Sequence, residues 1–202
     1  MTSNKRKVVS DSIFLTVGEF LLKLKGVVFL PIIITAVGME NYGVFVQVLI
    51  NPAFIIPFCS FALGMGFYRY TSKYKDTDTY ELGRDFWSVM VFSLFTSLVG
   101  AALLYFLSPV ISSHILDGLG EDSLRLSALI IITGVLWEAL TKYIQARKWF
   151  KFFTVYRLVY GLLPYLGFVV GVSIWREVYI GMVLYISINS VLIITLFVRS
   201  EE

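Results

Sequence analysis

Six charged side chains stand inside stretches that are otherwise apolar: Glu19, Lys23 and Lys25 in the first, Glu138 and Lys142 in a later one, and Arg157 in the next. A lysine, arginine or aspartate at the centre of a membrane-spanning helix costs roughly 2.5 to 3.5 kcal/mol on insertion scales, so such groups face a cavity or a partner rather than lipid. Four of the six are basic and two acidic, an excess of two positive charges. The chemistry open to the set is non-covalent: holding an anionic ligand, or taking up a proton or a cation at Glu19 or Glu138.

Spacing offers partial neutralisation within each helix. Glu19 and Lys23 are four residues apart, as are Glu138 and Lys142, and residues at that spacing share a face. Lys25 is turned about 200° from Lys23, so a neighbouring helix or local unwinding has to accommodate it. At 1.5 Å per residue, Lys23 lies about 16 Å from a span beginning at Ser12, near the midplane, while Glu138 is about 9 Å from the inner boundary and Arg157 about 8 Å inside its span. Lys142 and Arg157 can snorkel to the headgroups on their long stems.

Covalent and metal chemistry find little to work with. Cys59 is the one cysteine, and His114 the one histidine, so neither a disulfide framework nor a Cys/His metal site can be assembled. There is no HExxH, GxSxG or P-loop pattern, and the neighbouring carboxylates Asp76, Asp78 and Glu81 sit beside lysines in a polar segment. We expect no enzyme activity, no cofactor and no metal.

The elements that must position the charges are long apolar helices. The sequence is 57% hydrophobic and 15% charged, with a mean hydropathy of +0.79, far outside the range of a soluble domain. About 20 apolar residues cross the roughly 30 Å hydrocarbon core, and six segments meet that requirement: 12–37, 44–67, 86–107, 124–144, 152–174 and 179–198. No alternating barrel pattern competes. The expected fold is an all-α membrane protein whose 202 residues form one six-helix lobe.

Orientation follows from the basic residues. Lys5, Arg6, Lys7, Arg69, Lys73, Lys75, Arg84, Arg147, Lys148, Lys151 and Arg199 fall on one side, whereas the opposite connections hold only Arg125 and Arg176 among acidic Asp117, Glu121 and Asp122. The positive-inside rule then puts both termini in the cytoplasm. The net charge of +3 is accordingly a topology signal, and no nucleic-acid groove is implied. Trp149, Phe150 and Phe152 suit the inner headgroup region, and Trp175 the outer one. The first stretch is too long and too charged for a cleavable signal peptide.

Breakers and small residues add detail. Pro31, the Asn51-Pro52 pair, Pro57, and Gly161 with Pro164 are expected to interrupt their spans, as transporter helices are interrupted where backbone polar groups are exposed. Gly167 with Gly171, and Ser93, Ser97 and Ala101, recur at four-residue spacing and permit close helix contact.

Two runs carry a family resemblance. Phe29-Leu30-Pro31-Ile32, Val37-Gly38 and Glu40-Asn41-Tyr42-Gly43-Val44-Phe45 resemble the junction of the first two helices in polysaccharide flippases of the multidrug/oligosaccharidyl-lipid/polysaccharide (MOP) exporter superfamily. Leu63-Gly64-Met65-Gly66, Tyr68-Arg69-Tyr70 and Ser72-Lys73-Tyr74 resemble the next landmark, a glycine-containing helix end leading to an arginine and a lysine-bearing loop. Beyond Arg84 the likeness is one of topology. The resemblance implies one lobe of a MATE-like transporter, moving a lipid-linked oligosaccharide across the cell membrane by alternating access. It also implies Lys23, Lys25, Arg69 and Arg157 as headgroup-binding candidates, with Glu19, Asn51, Glu138 and Lys142 as supporting or coupling groups.

Such a transporter has two lobes. A lobe with both ends inside can be followed by another of the same orientation, or can pair with a second copy about a two-fold axis. The partners expected are therefore a lipid-linked oligosaccharide, membrane lipid, and a second lobe or homodimer. Two other functions stay open: an ion-coupled multidrug exporter using Glu19 or Glu138, and a membrane scaffold whose buried ion pairs only hold helices together.

Overall fold

The structure, a computed structural model, describes residues 2–71, 79–147 and 149–201, with side chains from residue 16 onward apart from 72–82, 148, 150 and 200–202. Lys73, Lys75, Asp76, Asp78 and Lys148 therefore lie outside the described residues, and nothing is said of the side chains of Lys5, Arg6, Lys7 and Glu81. Six helices follow one another: α1 (Thr2–Ser60), α2 (Leu63–Thr71), α3 (Thr79–Ile115), α4 (Glu121–Ala146), α5 (Phe150–Trp175) and α6 (Val178–Glu201). Five of them, all but the short α2, are long and apolar enough to cross a membrane.

Helix α1 is two arms joined at one residue. Gly38 leaves the helical region with φ 83° and ψ 169°, a positive φ that glycine adopts without a Cβ penalty. Contacts then give the arms opposite directions. Along arm 1, before Gly38, Gly18 lies against Thr154 and Leu158 and Leu22 against Gly161, and Phe29 stacks on Tyr165 with centroids 6.3 Å apart, so arm 1 climbs in step with α5. Along arm 2, after Gly38, Val44 lies against Gly120 and Ile56 against Gly134, and α2 continues the line with Gly64 against Lys142, so this limb descends in step with α4. Helices α4 and α5 are consecutive and joined by a short connection, which makes them antiparallel.

The sequence leads one to expect proline interruptions that do not occur. Pro31, Pro52, Pro57, Pro109 and Pro164 all lie within continuous helix. Nearby polar side chains fold back onto the same helix: Thr35 donates to the Pro31 carbonyl at 2.7 Å, and Asn51 to the Gln47 carbonyl at 2.9 Å. The break falls instead at Phe61 and Ala62, whose φ values of 46° and 52° are left-handed. The single span expected over 44–67 is thus divided into arm 2 and α2. Non-glycine residues in that region carry backbone strain and mark places over-determined by their surroundings.

Close packing holds the helices, because lipid is as apolar as a leucine and burial alone gives no drive to associate. Gly171 approaches the backbone of Gly181 so closely that a Cβ on Gly171 would stand 3.0 Å from its Cα, bringing α5 and α6 together. Ser93, Ser97 and Ala101 are buried along α3, as their spacing suggests. Three apolar clusters follow: one around Phe45, Phe168 and Met182, one around Leu140, Tyr143 and Leu196, and one around Leu104, Ile131 and Cys59. Trp149 immediately precedes α5 and Trp175 ends it, both partly exposed.

Candidate functional site

Arm 1 meets α5 along a polar seam. Arg157 Nη1 lies 2.6 Å from Glu19 Oε1, with both side chains about two-fifths exposed. One and a half turns further along arm 1, Lys25 donates to the Gly161 carbonyl at 3.1 Å and sits 4.0 Å over the Tyr165 ring. A cation over a desolvated aromatic face is attracted by the ring quadrupole, and the carbonyl takes one of the ammonium protons. A neighbouring helix therefore accommodates Lys25, and arm 1 stays helical there.

The pairings within single helices that spacing allows do not form. Glu19 reaches across to Arg157, 138 residues away, rather than to Lys23. Lys142 hydrogen-bonds Gln145 at 3.3 Å rather than pairing with Glu138, and among the described residues Glu138 has no ion-pair partner within 4.0 Å. For Glu19 the physical reason is that α5 offers a better-directed partner than its own helix surface, where i,i+4 pairs contribute only about 0.2 to 0.5 kcal/mol, whereas Lys142 finds a neutral partner on its own helix.

Lys23 stands apart. It is exposed, and among the described residues it makes no hydrogen bond or ion pair. Its level is fixed by the packing of its neighbour: Leu22 touches Gly161, close to the middle of the 26-residue α5. A lysine exposed at that depth cannot be left facing hydrocarbon without the penalty noted above.

A cavity of about 420 Å³ lies between the end of arm 2, α2, α4 and α5. Its polar lining is Ser60, Glu138, Thr141, Lys142, Gln145 and Arg157, against walls that include Met65, Trp137 and Phe153. Gly64 makes room for Lys142, since a Cβ there would stand 2.8 Å from the lysine Cγ. The strained turn at Phe61 and Ala62 shapes the same wall, with Ala62 in the lining. Two cations and one carboxylate face this space, and small-molecule sites typically measure about 300 to 1,000 Å³. It fits a compact polar group rather than an oligosaccharide.

The structure thus brings Glu138, Lys142 and Arg157 together, with Glu19 behind Arg157. Lys25 and Lys23 lie further along arm 1, outside the lining. Asn51 is turned back onto its own helix, and Arg69 is exposed in the last turn of α2. Searches against family models, curated proteins and solved structures found no match.

Sequence reasoning missed Gln145 and Thr141. Both lie three residues along α4 from a charged neighbour, on the same face by helical spacing, and that signal was available. It also missed the aromatic wall in which Trp137 stacks on Tyr160 with centroids 3.7 Å apart and planes within 2°. Tyr156 continues that wall, donating to the Leu192 carbonyl and lying 2.6 Å from Thr195 Oγ1.

Proposed function

We propose that the chain is one lobe of a MOP-type transporter, with six spans and both ends cytoplasmic in the cell membrane, and that its cargo is a lipid-linked oligosaccharide. The observation that carries the reading is Lys23: an exposed cation half-way along a membrane helix, on a face that the described residues leave uncovered. Lys142 and Arg157 extend the positive charge toward the basic end of the bundle. In this reading they receive the phosphate or pyrophosphate of the cargo at the cytoplasmic side, and Lys23 holds it at mid-membrane. The lipid tails stay in the bilayer throughout. A second lobe, or a second copy of this one, forms the other wall, and rocking of one lobe against the other alternates access.

The Glu19–Arg157 pair favours a more limited role for part of the cluster. Glu19 ties arm 1 to α5 through Arg157, so its part is that of a clamp that holds Arg157 at the cavity rather than of a group that meets cargo.

The test is a cell that makes a lipid-linked glycan and lacks the chain. Build-up of the untranslocated lipid-linked precursor supports the reading. Drug sensitivity that tracks with Glu138 points instead to an ion-coupled exporter, and neither effect points to a scaffold.

A further inference from the structure

A second cavity, of about 1100 Å³, lies along α3 and is lined by Gly83, Arg84, Trp87, Ser88, Val91, Phe92 and Phe95. These positions span about 180° of the helix at 100° per residue, with Trp87, Val91, Arg84 and Phe95 in the central 80° or so. Aromatic neighbours from elsewhere in the fold meet two of its lining residues. Trp87 meets Phe197 of α6 edge-on with centroids 5.5 Å apart, and Phe92 meets Phe61 edge-on at 6.2 Å. Phe61 is held out toward α3 by the left-handed turn at Phe61 and Ala62, and is itself exposed.

Its polarity runs in one direction. Arg84 stands at the end nearest the basic side of the bundle, with its side chain 65% exposed. Its Nε is 3.6 Å from Asp85, and among the described residues the guanidinium has no second ion-pair partner. Below it the lining is apolar apart from Ser88, whose hydroxyl is turned back to the Arg84 carbonyl at 3.1 Å. From Arg84 to Phe95 is about 16 Å along the helix, roughly half of a 30 Å hydrocarbon core and so the depth of one leaflet.

We propose that this groove retains an anionic phospholipid of the host bilayer, with its phosphate on the Arg84 guanidinium and an acyl chain along Trp87, Val91 and Phe95. The guanidinium supplies paired donors that suit a phosphate, and the aromatic sides hold the chain at a fixed place on the surface. The site is separate from the cavity at Lys142 and Arg157, and it does not depend on what cargo the protein carries.

Phospholipids with brominated acyl chains test it, because bromine quenches nearby indoles. The full-length protein is placed in phosphatidylcholine vesicles containing a rising fraction of brominated phosphatidylglycerol, or of brominated phosphatidylcholine as the comparison. The emission difference between the native protein and Trp87→Phe isolates Trp87 from the other three tryptophans. Phosphatidylglycerol is expected to quench Trp87 at about fivefold lower mole fraction than phosphatidylcholine, the scale of one basic residue at an anionic surface. Arg84→Gln should bring the two lipids to parity, Arg84→Lys should keep most of the preference, and Val91→Trp should fill the groove and remove the quenching at Trp87. Equal quenching by both lipids in the native protein, or an undiminished preference in Arg84→Gln, would overturn the proposal.

Discussion

The two arms of α1 are joined by a single glycine, yet they meet their neighbours in opposite ways. Arm 2 presents Val44, Phe45, Val48, Pro52 and Cys59 as buried side chains, with Val44 against Gly120, Ile56 against Gly134 and Cys59 against Gly100, and Phe45 stacked on Phe168. Between residue 16 and Gly38, arm 1 buries only Gly18 and Ile33, and it is tied to α5 by an ion pair, a hydrogen bond to a carbonyl and a cation over a ring. In a bilayer, tight apolar fit and directed polar contacts are the two ways helices can associate. Arm 2 relies on the first, while arm 1 adds the second to the close fit at Gly18 and Gly161. Arm 2 belongs to the scaffold, while arm 1 leaves most of its surface, Lys23 included, available to something else.

That contrast breaks most severely on the arm 2 side. A Cβ at Gly100 would run into Cys59 Sγ, with Ile55 and Ile131 close behind, and two of those three neighbours are β-branched and stiff. Gly100→Val should therefore destabilise the protein by about 2 to 3 kcal/mol through overpacking, read as a lower midpoint of thermal unfolding in detergent. An unchanged midpoint would mean that α3 and arm 2 are not packed as described.

The polar seam should respond more mildly and in a way that distinguishes pairing from packing. Arg157→Gln leaves Glu19 without its partner, and Glu19→Gln does the converse. Each should cost about 1 to 2 kcal/mol, at the upper end of polar contacts measured in membrane helices because an ion is left unpaired. The double substitution should cost less than the sum, and strict additivity in the cycle would show that the two side chains do not interact. Lys25→Met keeps the length of the side chain but loses the bond to Gly161 and the Tyr165 contact, for a loss of about 1 kcal/mol. Chemical denaturation of the purified protein would measure it.

Much of this arrangement was legible in the sequence, for reasons that explain the gaps. Apolar length marks α4, α5 and α6 to within three residues at each end, because a helix in lipid must satisfy its own backbone across the whole hydrocarbon layer. It falls short for α3, which runs Thr79–Ile115 against an expected 86–107, since the helix continues through polar Arg84, Asp85, Ser112 and His114 after the apolar stretch has ended. Gly38 was visible as part of the junction between the first two spans. The strained break at Phe61 and Ala62 was not, because neither residue type signals a left-handed backbone and the nearby prolines drew attention to themselves.

At the site, helical spacing finds only partners on the same helix. It therefore suggested Glu19 with Lys23 and Glu138 with Lys142, whereas Glu19 and Lys25 found their partners on α5. The residues lining the cavity come from α1, α2, α4 and α5, so their convergence is a property of packing that no local pattern encodes. Lys23 is the exception. Its depth set it apart in the sequence, and the fold leaves it exposed because Glu19, its same-helix alternative, turns to Arg157 instead.

Lys23→Ala in a cell that exports the glycan tests the central claim most directly, with the amount of the chain in the membrane and its unfolding midpoint measured alongside export. Among the described residues Lys23 makes no hydrogen bond or ion pair, so the expected result is native insertion, a stability within about 0.5 kcal/mol of the original, and loss of export. Normal export by a well-inserted variant would remove Lys23 from the cargo path, and unfolding of the variant would assign it to the scaffold instead.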